Sequence, residues 1–169
     1  TVPMLKCCEL RCEYEKEPMG IDVEVPRFSW KLESSDQNVL QTAYEVVVDG
    51  MWESGKVESD RSIHVEYAGK KLSPCTCYTY RVRVWDNYGG CSDWEESAFE
   101  TGLMDSVNWK ANWIGLSEEM LSVCPVFRKE FKIRGKVASA RIYASSYGLY
   151  EIFLNGLRVG DRYLTPGFT

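Results

Sequence analysis

The side chains that could carry acid-base chemistry are few and poorly grouped. Carboxylates fall side by side at Glu95-Glu96 and at Glu118-Glu119, with Asp161 further along. Neighbouring residues on an extended chain point to opposite faces, so neither couplet makes a working acid-base pair, and all five carboxylates read as solvated surface. His64 is the sole histidine. The alternation around it points it outward from a strand, and with no nucleophile or carboxylate pattern beside it the plain reading is a solvated residue rather than a general base. Seven cysteines are an odd number, and the spacings Cys7-Cys8, Cys8 to Cys12 and Cys75-x-Cys77 do not match paired C-x-x-C metal knuckles. Free, mostly buried thiols are expected, one or two disulfides are the alternative, and a metal site is least favoured. No catalytic, cofactor-binding or metal-ligating residue is nominated, and no cofactor is implied.

Trp113, Tyr147, Tyr150 and Asp161 offer a different chemistry. An aromatic ring against the apolar face of a sugar, beside a few polar groups, is the mixture of a small-ligand pocket. The competing reading is that these rings fill cores and interfaces. Asn155 joins them at a turn, where it serves turn geometry first and a contact with neighbouring polypeptide second.

The elements that must position these residues are strands. Six Trp, ten Tyr and six Phe in a chain of 169 residues, distributed in short alternating runs, favour an all-β protein. Phe28, Trp30 and Leu32 share one face of a strand; Tyr44, Val46 and Val48 share another; Ile63, Val65 and Tyr67 a third; Tyr80, Val82 and Val84 a fourth. Leu5, Cys7, Leu10, Cys12 and Tyr14 read as an edge strand. Residues 102–112 form a junction too apolar for a free tether. Beyond it, strands are expected at 113–115, 126–131 and 140–144, with Ala140, Ile142 and Ala144 on an inner face. A hairpin follows, with arms Tyr150 to Leu154 and Leu157 to Val159 around Asn155-Gly156, the dipeptide suited to a type I′ turn. About four or five strands are then available where a jelly roll uses about eight. The second domain is therefore expected to be incomplete, with its partner strands in a larger protein, and 163–169 to be mobile or engaged in edge-strand self-association.

A formal net charge of -5 leaves no excess of Lys and Arg to neutralise phosphates, which argues against nucleic acid. No apolar run approaches the roughly 18 residues that span a bilayer, which argues against a membrane partner. The compartment stays open.

Leu72-Ser-Pro-Cys-Thr-Cys-Tyr78 before a strand of alternating Val resembles the E-to-F corner of a fibronectin type III (immunoglobulin-like) β-sandwich, where a tyrosine hydroxyl returns to an upstream backbone group. The series Glu17-Pro-Met-Gly-Ile-Asp22, Pro26-Arg-Phe-Ser-Trp30, Gln41-Thr-Ala-Tyr44, Ser54-Gly-Lys-Val57, Arg81-Val-Arg-Val-Trp-Asp86, Phe99-Glu-Thr-Gly-Leu103, Trp113-Ile, Phe127-Arg-Lys and Leu154-Asn-Gly, ending in Arg158-Val-Gly-Asp161 and Pro166-Gly, resembles the amino-terminal part of bacterial α-L-rhamnosidases of glycoside hydrolase family 78. That resemblance implies a sandwich over 1–103 and an incomplete, galactose-binding-like jelly-roll domain over 104–169. It also implies a catalytic (α/α)6 barrel in cis, which no part of this sequence matches. The expected role is non-catalytic: scaffolding the barrel and shaping access for a rhamnosylated glycoside that the parent enzyme cleaves with inversion. Cys91-Ser-Asp-Trp94 is similar instead to the Trp-Ser box of cytokine-receptor modules, whose tryptophans interleave with arginines such as Arg81 and Arg83. A receptor-like or carbohydrate-binding adhesion module is the alternative.

Overall fold

The computed structural model describes residues 5–117 and 124–167, and they divide into two compact units, Thr1–Trp113 and Ile114–Thr169. In the first unit the strands are β1 (Lys6–Cys12), β2 (Met19–Ile21), β3 (Arg27–Glu33), β4 (Gln41–Val48), β5 (Trp52–Glu53), β6 (Val57–Glu58), β7 (Val65–Glu66), β8 (Cys77–Asp86) and β9 (Glu95–Thr101). One sheet has the order β1-β3-β7; the other has the order β2-β9-β8-β4-β5, with β6 also paired to β4. All pairings are antiparallel except β2 with β9.

Alternation places the core. From one sheet come Phe28 and Trp30, from the other Tyr44, Val46, Val48, Tyr80, Val82, Val84 and Phe99, all buried. The Phe28 ring lies 4.6 Å from Tyr80 and 5.9 Å from Phe99, and Trp30 lies edge-on to Tyr44 at 5.3 Å. Burying Trp30 requires an acceptor for its indole N–H, and Gln41 supplies it: Nε1 donates to Gln41 Oε1 at 3.0 Å. The Gln41 amide in turn donates to the carbonyls of Ser59 (3.1 Å) and Arg61 (2.9 Å), so a buried polar side chain is satisfied throughout.

Strand β1 shows how an imperfect sequence rhythm is resolved. Inward residues change from odd (Leu5, Cys7) to even (Leu10, Cys12), which a regular strand of period two cannot accommodate. A bulge between Cys8 and Arg11, with Glu9 at φ 46°, inserts the extra residue. Tyr14 falls beyond the strand and is exposed. At the third predicted face the expectation is only partly met. His64 takes a left-handed φ of 52°, which breaks the strand, so Val65 and Tyr67 are buried while Ile63 turns outward. His64 itself is half-buried, edge-on to Tyr14 at 5.2 Å.

The tyrosine corner forms: Tyr78 Oη accepts from the Ser73 N–H at 2.8 Å. The first unit is thus an immunoglobulin-like β-sandwich.

In the second unit, β10 (Phe153–Leu154) and β11 (Leu157–Arg158) pair as the predicted hairpin, with Asn155 at φ 50° and Gly156 at φ 82°, the pair of positive angles a type I′ turn demands. The strands expected at 126–131 and 140–144 carry no sheet pairing; Ile142 is exposed, as are Ala140 and Ala144. Alternation supplies one half of a ladder, and without a neighbour to take its N–H and C=O groups a strand does not form. One isolated bridge, Tyr150 to Thr165, closes the loop around the hairpin.

Candidate functional site

An open groove lies in the first unit. Pairing of Lys6 with Glu33 and of Cys7 with Leu32 brings the start of β1 against the end of β3, and the segment leading into β9 closes the other wall. The result is a groove of about 750 Å3, within the size range of small-ligand sites. Its floor is apolar and buried, made by Leu5 and Cys7. Glu33, Ser34, Ser35, Asp93, Glu95 and Trp94 bring carboxylates, hydroxyls and an indole to the rim. The lining thus combines carboxylates, hydroxyls, the Lys6 ammonium and one indole ring. Burial pushes the Cys7 thiol well above the ordinary range, as it does for Cys12, raised to about 12, which disfavours the thiolate form at both.

Trp94 also meets two guanidinium groups. Arg81 and Arg83 alternate with Trp85 along β8, on the face away from the core. The Arg83 guanidinium stands 4.4 Å from the Trp94 ring centre and 4.9 Å from that of Trp85; Arg81 stands 5.1 Å from Trp94, and the Lys56 ammonium 5.1 Å from Trp85. Glu45 on the adjacent strand accepts from Arg83 Nε at 2.7 Å and lies 2.6 Å from its Nη2. The cation-aromatic interleaving expected from the Trp-Ser box is therefore present. Its second ring is Trp85, which the box does not contain; the i, i+2 alternation Arg81-x-Arg83-x-Trp85 was the signal for it.

Trp113 belongs to the first unit and is exposed. Tyr147, Tyr150, Asn155 and Asp161 belong to the second. Tyr147 is almost fully exposed; Tyr150 is half-buried, its N–H donating to the Thr165 carbonyl at 2.9 Å; Asn155 occupies the hairpin turn; Asp161 is exposed. Glu95 and Glu96 sit at successive positions of β9, opposite Val82 and Arg81, and Glu118 and Glu119 lie outside the described residues. The thiols of Cys7, Cys8 and Cys12 are buried, whereas Cys75, Cys77, Cys91 and Cys124 are exposed, so the expectation of mostly buried cysteines holds only for β1, where the sandwich closes over the side chains. Among the described residues no group of three or more His, Cys, Asp or Glu side chains could hold a metal ion, and no helix is long and apolar enough to cross a membrane.

Nothing in the sequence marks Glu33, Ser34, Ser35 and Asp93 as members of one site, because three stretches distant in the chain, 5–7, 32–35 and 92–95, line the groove together.

Both segments of the chain match known families. Residues 7–105 match the Rha78A-like, N-terminal immunoglobulin domain, and residues 135–169 match the α-L-rhamnosidase N-terminal domain. An α-L-rhamnosidase of Formosa agariphila is 33% identical over 187 residues, covering 90% of this chain and 20% of its own length. One from Streptomyces avermitilis is 45% identical over 112 residues, covering 60% of this chain and 11% of its own. The solved structure of α-L-rhamnosidase from Dictyoglumus thermophilum superposes with a TM-score of 0.88 at 38% identity, over 97% of this chain and 22% of that one. An immunoglobulin-like sandwich followed by a rhamnosidase N-terminal segment defines the class. The chain belongs to the α-L-rhamnosidase family and spans about a fifth or less of the length of these relatives.

Proposed function

We propose that this chain is the non-catalytic amino-terminal region of an α-L-rhamnosidase, which supports a catalytic (α/α)6 barrel in cis and shapes access for rhamnosylated glycosides that the barrel cleaves. The observation that carries this reading is the order of the two family matches along one chain, both of them to N-terminal domains. Inverting hydrolysis needs two carboxyl groups held about 6.5 to 9.5 Å apart across the scissile bond; Glu95-Glu96 and Glu118-Glu119 are each neighbours in sequence, and neighbours on an extended chain point to opposite faces. The purified chain is expected to release no rhamnose from an aryl α-L-rhamnoside under conditions where a full-length relative does. Turnover by the chain alone would overturn the proposal.

The groove supports a second reading, a carbohydrate-binding module. L-Rhamnose or methyl α-L-rhamnoside would sit against Trp94, with hydroxyls to Glu33 and Asp93. Under this reading, titration with either sugar moves the amide resonances of 33–35 and 92–95, and Trp94→Ala abolishes the shifts. Unchanged resonances at 100 mM sugar, about the weakest useful affinity for a single monosaccharide contact, would eliminate it. The interleaved Arg81, Arg83, Trp85 and Trp94 alone do not favour a receptor module, since they occur here in a chain of the rhamnosidase family.

A further inference from the structure

Two motifs distant in sequence, Pro18-Met-Gly-Ile-Asp22 and Phe99-Glu-Thr-Gly-Leu103, meet at the one parallel pairing of the sandwich. Met19 lies opposite Glu100 and Ile21 opposite Thr101. The Glu100 N–H donates to the Pro18 carbonyl at 2.9 Å and the Gly102 N–H to the Ile21 carbonyl at 2.7 Å. One residue further, Asp22 Oδ1 accepts from the N–H of Met104 at 2.8 Å. Gly102 is glycine for a steric reason. A Cβ there would stand 2.6 Å from Asp22 Oδ1 and 2.8 Å from the Gly20 carbonyl oxygen, and the second of these is backbone that cannot swing aside.

The same contacts run on into the tyrosine corner. The Gly102 carbonyl accepts from Cys75 N–H at 2.8 Å; the fully buried Thr101 hydroxyl donates to the Ser73 carbonyl at 2.6 Å and accepts from Thr76 N–H at 3.0 Å. On the far side of Met104 the chain is held by its own turns. Asp105 caps a 3-10 turn, Ser106–Asn108, by accepting from Val107 N–H at 3.0 Å, and the Asn108 side-chain amide donates to the Leu103 carbonyl at 2.7 Å. Met104 takes a φ of 62° and packs its side chain on the core. A non-glycine residue in that left-handed region is strained and persists only where its surroundings hold it. From outside the segment, the Asp22 hydrogen bond holds its backbone and the core packing holds its side chain.

We infer that Asp22 is a positioning residue that clasps the outgoing chain at Met104, so that residues 102–109 leave the sandwich along one fixed path as a strap rather than as a free tether. This inference stands on unit-one geometry alone and is independent of the rhamnosidase reading. A carboxylate is not essential to it, only an acceptor at Oδ1, which makes Asp22→Asn the conservative variant.

Amide hydrogen exchange on the whole chain tests it. Asp22→Ala is expected to speed exchange of Met104, Asn108 and Trp109 amides about tenfold, the loss of one hydrogen bond, while Val82 and Val84 in the core keep their protection. Asp22→Asn restores the slow rates. Unchanged exchange in Asp22→Ala, an Asn variant as fast as Ala, or an equal rise at Val82 and Val84 would each overturn the assignment, the last by making Asp22 a contributor to whole-domain stability instead.

Discussion

The two units carry similar strand signals and make different use of them. In the first, alternating runs at 27–33, 41–48 and 77–86 find partners on both sides, and their inward residues disappear from solvent. In the second, runs of comparable alternation at 126–131 and 140–144 stay unpaired, and Val126, Phe131, Ile133 and Ile142 are all more than half exposed. The one element formed there as predicted is the hairpin, whose strands are two residues each and whose turn is dictated by Asn155-Gly156. A hairpin contains its own partner. A strand does not, so its formation depends on polypeptide elsewhere in the fold.

Substitutions can break this contrast. Phe28→Ala, at a fully buried ring, is expected to cost about 3–5 kcal/mol in urea unfolding of the first unit; a loss under 1 kcal/mol would show that the core is not the packed sandwich described. Next in size is Gln41→Ala, which strands the buried Trp30 indole N–H and the carbonyls of Ser59 and Arg61. About 2–3 kcal/mol should be lost, and near-neutrality would mean that water replaces the amide.

A third effect depends on pH. Glu13 accepts from Arg27 Nε at 3.0 Å, Nη2 at 2.8 Å and the backbone N–H at 2.7 Å; the Arg27 side-chain hydrogen bonds foremost hold its carboxyl below the usual carboxylate range, against partial burial that acts the other way. A folded-state value below the unfolded one gives stability that is full above the unfolded pKa, about 4.3, and is lost as pH falls through the lower folded value. Denaturation curves between pH 7 and 2 should show this loss, of about 1–2 kcal/mol, and Glu13→Gln should flatten it; an identical acid slope in the variant would assign the effect to other carboxylates. The smallest effect is expected in the second unit, where Phe153→Ala, at a ring 57% exposed, should change stability by less than about 0.5 kcal/mol. A cost near that of Phe28→Ala would mean that the hairpin is covered in solution, and sedimentation over a concentration range would show whether a second copy covers it.

Much of the sandwich was legible because strand period and turn chemistry are local. Phe28, Trp30, Tyr44, Val46, Tyr80 and Val82 declare their faces by spacing alone, and Leu72-x-Pro-x-Thr-x-Tyr78 declares the corner. The candidate groove was not legible. Glu33 ends a strand, and Ser34, Ser35 and Asp93 are ordinary polar residues until the fold brings them to one groove; the Trp-Ser resemblance marks Trp94 without placing it at a cavity. The break at His64 and the bulge at Glu9 were hidden for a related reason: a left-handed φ at a non-glycine residue is imposed by surrounding contacts, Ser29 Oγ on the His64 amide among them, and leaves no mark in residue type.

The sequence by itself determined the residues that face inward in the sandwich, the hairpin turn and the family, since each is a property of neighbours along the chain or of motifs in order. Only the tertiary structure decided which alternating runs became strands, that Asp22 reaches Met104, and that Trp94 both meets Arg81 and Arg83 and lines a groove. Those facts join residues from separate stretches of the chain, and their energies exist only once folding has brought hydrogen-bond donors, acceptors and rings within reach of one another.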